Sequence, residues 1–512
     1  SKEYLEYIPF SDHVAFSQQR GLALDRFREL FRLDEWRQLE DAERQSKGLR
    51  FDDLIAELGE VFVGREEHIS HVKKVLKTQN DGVLWISGKP GVGKSALMAR
   101  LVRDYQNAPQ HYLTIPYFFR IGHSGCSTEQ FLKAALLHLH VAVGVPFKPA
   151  VTMEERRQQF VELVRHAVER LGKKVLFLLD GLDEIYRLEP TFISLPFIAN
   201  APRVLWLCAG RNELPEMETA LRQSGAEWVF PSGLPEMGEK DIRAMLTAYL
   251  ERLKYHLFER DKIIEGHYGN RFVEVLTHKS EGLPLYVRMV IEDLRRGKWT
   301  LQDEDKLPDG LKAYFEQILE RLRVSDIGTV LTPLFCLLAW AKEPITEPTL
   351  RLLLRGHYLS KSARWEDLFR KALEHGHLML RPAPTRENKT GWTFYHDTFR
   401  QHMRESILIR DNREWALEVW LQWCIQWRII TEEGLQHYVL RHNAEHLREA
   451  KRWNELFSIA RDRLFWQAQS REFLSSPDLP LLTLQAALLG AIEVDDAAIM
   501  TEFMLLHAQQ LK

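Results

Sequence analysis

The stretch Val83-Leu84-Trp85-Ile86-Ser87, Gly88-Lys89-Pro90-Gly91-Val92-Gly93-Lys94-Ser95, Ala96-Leu97-Met98-Ala99-Arg100-Leu101-Val102 reads as strand, glycine-rich loop and helix. This order narrows the possible folds more than any other feature of the chain. The pattern G-x-x-x-x-G-K-S between a strand and a helix is a phosphate cradle. Gly88, Gly91 and Gly93 let the backbone turn tightly and bring its N–H groups against phosphate oxygens. Lys94 reaches the outer phosphates and the Ser95 hydroxyl faces Mg²⁺. The loop therefore predicts a nucleoside triphosphate site.

The flanking sequence predicts a parallel sheet around that loop. Tyr112–Phe119, Val175–Asp180, Val204–Ala209 and Glu227–Phe230 are apolar runs separated by helical stretches. Strands alternating with helices give a sheet covered on both faces, with ligands at the carboxyl ends of the strands. Gly88, Asp180 and Arg211 all fall there.

From about Pro235 the pattern is helical only, then comes a polar stretch, Trp299–Asp309. Helices follow to Glu374, then two short strands near Gly376–Arg381 and Trp392–Tyr395, which suits a winged helix. The remainder is helical, with Trp415, Trp420, Trp423 and Trp427 as candidate packing residues. The expected division is a helical lead-in 1–60, a nucleotide domain 61–234, a helical lid 235–303, a winged helix 304–403 and a helical arm 404–512. The lead-in reads as helices Leu22–Leu33 and Leu39–Leu58.

The net charge of −3 over 512 residues supplies no global field toward nucleic acid or anionic membrane. The four cysteines, Cys126, Cys208, Cys336 and Cys424, lie far apart, which argues for a reducing compartment and against a zinc knot. No window is apolar enough to span a bilayer and the N-terminus lacks a signal-peptide pattern. A cytoplasmic protein is expected, with neither terminus resembling a complete module.

Asp180 ends a buried strand, where a carboxylate holds Mg²⁺ through water opposite Ser95. Asp183 and Glu184 follow as candidates to polarise an attacking water. Three carboxylates so close repel one another unless a cation and a phosphate-binding lysine sit among them. Acids dressing a helix N-terminus would give the same letters. Arg211 after the fourth strand suits a terminal phosphate, or a solvent-facing strand end. Val61–Glu67 suits a wall for an adenine ring, or a plain turn into a surface helix. Pro284 either caps a helix or packs on adenine. His396 is one of twenty histidines, so its type alone carries no signal.

These motifs together resemble the STAND class of signal-transducing P-loop ATPases, in the NACHT and NB-ARC neighbourhood. The resemblance rests on Phe62-Val63-Gly64-Arg65-Glu66, Gly88 to Ser95, Leu178 to Glu184, Gly282-Leu283-Pro284 and Phe394 to Arg400, in that order. It implies that Val63 and Arg65 lie near base and ribose, and that Gly88, Gly91, Gly93, Lys94, Ser95 and Ala96 hold phosphates. Ser95 and Asp180 would position Mg²⁺, Lys94, Asp183 and Glu184 would serve hydrolysis, and Arg211 would sense the γ-phosphate. Pro284 would pack on adenine, and His396 would touch the β-phosphate of ADP. The implied activity is a slow ATPase used as a switch: an ADP-bound, autoinhibited monomer that exchanges ADP for ATP on sensing a ligand or protein and forms a homo-oligomer. An effector module would act downstream in defence, cell death or regulation. Two other readings stay open: a DNA-acting P-loop ATPase using its winged helix, and a scaffold that binds ADP without turning it over.

Overall fold

The computed structural model describes residues 51–510 apart from 52–53, 56–57, 59–61, 108, 124, 146–149, 151, 253–266, 296, 301, 356–363, 377–378, 388 and 474–477. The predicted lead-in helix Leu22–Leu33 and most of Leu39–Leu58 lie outside the described residues.

The first part alternates helix and strand: α1 (Glu66–Thr78), β1 (Gly82–Ile86), α2 (Lys94–Gln106), β2 (Tyr112–Phe118), α3 (Thr128–Val143), α4 (Met153–Leu171), β3 (Lys174–Asp180), α5 (Leu182–Leu188), α6 (Leu195–Ile198), β4 (Val204–Ala209), α7 (Pro215–Gln223) and β5 (Glu227–Trp228). The five strands form one parallel sheet in the order β2-β3-β4-β1-β5. Alternate residues feed two cores, which is why these strands read as unbroken apolar runs. Leu84, Ile86, Leu176, Leu178, Leu205 and Leu207 face α1, α2 and the helices beyond. Val83, Trp85, Val175, Phe177 and Trp206 face α3 and α4, with Phe177 and Trp206 stacked at 3.8 Å between centroids.

The register places the site. Ile86 pairs with Ala209, Ala209 with Asp180, and Asp180 with Phe118. Four strands therefore end at one level. The residues that follow them, from Ser87, Phe119, Gly181 and Gly210, emerge along a single sheet edge.

Helices α8 (Glu239–Arg252), α9 (His267–Lys279) and α10 (Pro284–Arg295) come next. Gly282 precedes α10 with φ 66°, and a Cβ there would meet the Met237 carbonyl oxygen at 2.5 Å, so glycine is required. Then follow α11 (Gly310–Arg323), α12 (Gly328–Trp340), β6 (Ile345–Thr346), α13 (Glu347–Leu354), α14 (Trp365–Gly376), β7 (Leu380–Pro384), β8 (Thr390–Phe394) and α15 (Asp397–Glu405). The strands make a small antiparallel sheet, β6-β8-β7, which with its helices is winged-helix-like. The hairpin was expected in the sequence; the two-residue third strand β6 was not, being too short for any periodicity to show.

The rest is all-helical: α16 (Arg410–Ile425), α17 (Glu433–Glu449), α18 (Trp453–Arg461), α19 (Arg463–Glu472), α20 (Leu479–Glu493) and α21 (Ala497–Gln510). Trp420 and Trp427 are buried, and Trp420 Nε1 donates to the Leu337 carbonyl at 3.0 Å. Trp415 and Trp423 pack half-buried on the same core. That core runs continuously from one face of the parallel sheet through α10, α12 and α15 to Phe465. The four cysteines are buried free thiols. Among the described residues no helix is long and apolar enough to cross a membrane.

Candidate functional site

The glycine loop closes onto α2 through Gly93, whose φ of 97° only glycine adopts without strain. Lys94 is buried, and its Nζ donates to the carbonyls of Gly88 at 2.7 Å and Lys89 at 2.9 Å. Burial pulls its pKa down to about 8, against the pull of Asp183 and Asp180.

Beside the loop lies a cavity of about 180 Å³. Lys94, Ser95, Ala96, Gly91 and Gly93 line it from the loop, and Asp180, Asp183, Glu184 and Arg211 from the strand ends. Pro284 enters from α10 and His396 and Asp397 from the winged-helix-like part, while Val63 and Arg65 close another side. Gly88 stands behind this wall, where its carbonyl takes the Lys94 ammonium. Leu54, Leu58, Phe62, Val63, Met245 and Pro284 give the cavity an apolar lining. Its charged lining is six basic side chains and four carboxylates.

Each charged group there is held by a specific contact. Asp183 Oδ1 accepts from the Arg211 backbone N–H at 3.0 Å. Glu184 Oε2 accepts from the Ile121 N–H at 2.6 Å. Arg211 Nη2 lies 2.8 Å from Asp397 Oδ2 and 3.8 Å from Glu184 Oε1. Burial, reinforced by Asp397 and opposed by Arg120 and Arg211, pushes the Glu184 carboxyl up to about 7. Burial would raise Asp397 too, but Arg211 and Arg400 outweigh it and hold that carboxyl below its usual range.

Arg65 sits left-handed at φ 63° directly after Gly64. A Cβ on Gly64 would meet the Asp241 carboxylate at 2.5 Å. Arg65 Nη2 donates to the Val92 carbonyl at 2.7 Å, tying this turn to the glycine loop. Pro284 Cγ lies 3.5 Å from where a Gly93 Cβ would be, and the Leu285 N–H donates to the Gly91 carbonyl at 3.4 Å. The start of α10 thus rests directly on the loop. His396 is the N-cap residue of α15. Burial, with Arg288 and other guanidinium groups nearby, holds its pKa well below the ordinary value, so the ring is neutral.

Several buried side-chain nitrogens have no hydrogen-bond partner among the described residues: Arg65 Nε and Nη1, Arg211 Nη1 and His396 Nε2. Buried unpaired donors are costly. Arg65, Arg211 and His396 all line the one cavity, so an anionic guest would satisfy them. The metal chemistry fits as well. Ser95 Oγ and Asp180 Oδ2 both lie 2.8 Å from Arg120 Nη2, so one hydroxyl and one carboxylate face a common point. Among the described residues no three His, Cys, Asp or Glu side chains converge as a metal cage. A partial oxygen shell is what Mg²⁺ takes when phosphates and water supply the rest.

Arg120, Asp397 and Arg381 line the cavity without a role having been assigned to them in the sequence; Arg288, one turn beyond Pro284, where the sequence allows a reach to phosphate, lines it too. Arg120 follows β2 in Phe118-Phe119-Arg120-Ile121-Gly122, where only the level ending of the strands reveals its position. The same loop meets the winged-helix-like part: Thr393 Oγ1 donates to the Gly122 carbonyl at 3.0 Å. A Cβ on Gly122 would collide with the buried Arg400 guanidinium.

Glu184→Gln is expected to raise the melting temperature by a few degrees at pH 8 and by almost nothing at pH 5. A carboxyl whose folded pKa lies above its unfolded value favours the folded state at low pH. That contribution is lost as pH rises through about 7. Glutamine, uncharged throughout, escapes the loss. Melting curves at the two pH values check this; an equal shift at both would contradict it.

The profile of the family described as Nephrocystin 3, N-terminal, matches residues 66–204, from α1 to the first residue of β4. No curated protein matches the chain. Among solved structures it is similar to the signal transduction ATPase with numerous domains, bearing a tetratricopeptide repeat sensor, from Pyrococcus horikoshii. That likeness has a TM-score of 0.37 and 13% identity, over 88% of this chain and 65% of that one. The chain therefore spans about two thirds of the length of that protein. It is also similar to the Orc1 protein of Aeropyrum pernix in complex with DNA, at TM-score 0.32 and 14% identity, over 69% of this chain and 95% of that one. At these scores neither likeness bears on what the chain does. The sheet and the partial family match relate the chain distantly to proteins of the P-loop NTPase fold.

Proposed function

We propose that this chain is a nucleotide-operated switch that binds ATP and ADP with Mg²⁺ and hydrolyses ATP slowly. One observation carries the reading: a single cavity, lined with buried nitrogens unpaired among the described residues, is walled jointly by the parallel-sheet part, the helices after it and the winged-helix-like part. A guest held there bridges all three. The parts correspond to 61–234, 235–303 and 304–403, with 404–512 as an arm.

The residues divide the work by chemistry. The apolar lining, with Val63 and Pro284, takes the base. Gly91, Gly93, Lys94, Ser95 and Ala96 take the phosphates, Arg65 and the neutral His396 donate to the guest, and Arg211 reads the terminal phosphate. Ser95 and Asp180 would hold Mg²⁺, which when bound supplies charge neutralisation at the phosphates. Glu184, at about 7, has the proton affinity a general base needs near neutral pH. Asp183 fixes the Arg211 backbone. ADP in this closed arrangement keeps a monomer silent. A ligand or protein that prefers the open arrangement permits exchange and assembly into a homo-oligomer, in a defence, cell-death or regulatory role. Taking such a balance from 1:99 to 99:1 needs about 5.5 kcal/mol of preference.

The DNA-acting reading gains nothing from α14, the candidate recognition helix of the winged-helix-like part. In α14 both Arg370 and Lys371 pair with Asp367, at 2.9 and 2.6 Å, and Glu366 and Glu374 lie on the same helix, so it lacks the basic face a duplex would need.

The purified protein is expected to release ADP on acid denaturation, and the stripped protein to take up fluorescent ADP in magnesium buffer. A protein that is empty and takes up neither ADP nor ATP would sink the switch.

A further inference from the structure

Resting on that reading of the site, the geometry points to a role for Arg120 as a resident cation that Mg²⁺ must displace. Its Nη2 lies 2.8 Å from both Ser95 Oγ and Asp180 Oδ2, and its Nη1 lies 3.3 Å from Glu184 Oε1. These are the two oxygens assigned to the metal and the proposed base. Mg²⁺ takes oxygen ligands at about 2.0–2.1 Å in a near-octahedral shell. A Mg²⁺ shared by Ser95 Oγ and Asp180 Oδ2 would compete for the two oxygens that Arg120 Nη2 now contacts, so the two cations exclude each other by volume and by charge.

The loop allows the exchange. β2 ends at Phe118, and the Phe119 N–H still pairs with the Asp180 carbonyl at 2.8 Å. Beyond Arg120 the chain turns at Gly122, with φ 81°. The side chain can therefore leave Ser95 and Asp180 without disturbing the sheet. Glu184 is already on its other nitrogen, so the guanidinium swings about that contact toward the phosphate side of the cavity.

Two consequences separate Arg120 from an ordinary salt-bridge residue. Without nucleotide, the site refuses divalent cations despite its carboxylates, because a cation already occupies it. With nucleotide, magnesium adds little to ADP affinity, because each gain is set against displacing the arginine. Arg120 is thus a positioning residue that sets the metal dependence of the switch.

The experiment uses Mn²⁺ as a paramagnetic probe on the whole chain. Nucleotide-free Arg120→Met is expected to bind Mn²⁺ at least about tenfold more tightly than the parent, a 1.4 kcal/mol change in affinity. Mg²⁺ should compete, and Asp180→Asn in the same background should abolish the binding. In parallel, the ratio of ADP affinities with Mg²⁺ and with EDTA should be near unity in the parent and rise several-fold in Arg120→Met. Should Arg120→Met fail to fold with its carboxylates uncompensated, Arg120→Met/Glu184→Gln removes one charge of each sign and is expected to show the same Mn²⁺ gain. Equal Mn²⁺ binding by parent and variant, at any strength, overturns the inference. If neither protein takes up ADP, the nucleotide reading falls, while the Mn²⁺ comparison still decides the role of Arg120.

Discussion

Lys94→Ala is expected to weaken ADP and ATP binding by at least about a hundredfold, read by calorimetry. Hydrogen bonds to charged groups are worth about 1.5–3 kcal/mol each, and each 1.4 kcal/mol is tenfold in affinity. The Lys94 ammonium rests on two loop carbonyls, Gly88 and Lys89, and is the buried loop charge at the proposed phosphate position. The same residue predicts a proton signature. Burial holds its pKa at about 8, and a phosphate alongside would restore it toward its ordinary value. Between those limits a fraction of lysines is neutral before binding and charged after. Nucleotide uptake at about pH 8.5 should therefore draw protons from the buffer. Calorimetry in buffers of different ionisation enthalpy measures that uptake, and Lys94→Ala should abolish it. Undiminished affinity in the variant would remove the loop from the binding site.

Asp397→Ala should loosen the winged-helix-like part from the parallel sheet. Asp397 pairs with Arg211 at 2.8 Å across that junction, and both are buried. Breaking an isolated buried ion pair costs about 3–5 kcal/mol; the cost here is smaller, because Arg211 keeps Asp183 at 3.6 Å and Glu184 at 3.8 Å. The expected outcome is faster amide exchange over residues 395–400 and faster release of bound ADP. Asp397→Asn, which keeps the shape and loses the charge, should lie between. Loss of the Asp397 charge should also lower the Glu184 pKa, since that charge helps to raise it. If neither variant changes exchange or release, the pair does not clamp the two parts.

The fold was legible wherever the residues carry their own period. The five parallel strands, most helices between them and the wing hairpin follow from apolar runs and breakers. β6 escaped because Ile345–Thr346 is defined by its partners Trp392 and Gly391, not by its own letters. At the site, residues embedded in recognisable local patterns could be named in advance, and the cavity brings Lys94, Ser95, Asp180, Asp183, Glu184, Arg211, Pro284 and His396 together. Arg120 and Asp397 could not be ranked that way. An arginine after two phenylalanines, or an aspartate at a helix start, becomes informative only when strand register and part-to-part contact fix its neighbours. Their charges answer other residues of the site across 60 positions, Arg120 to Asp180, and across the junction, Arg211 to Asp397.

The loop after β2 has a mechanical consequence. Ile121 holds the Glu184 carboxylate through its N–H, and its neighbour Gly122 is bonded to Thr393 and pressed by Arg400. A pull of the wing on Gly122 is transmitted over one peptide unit to the carboxylate, a leash too short to absorb slack. Docking and undocking of that distant part would thus act directly on the carboxylate proposed as the base, without any change in the glycine-rich loop.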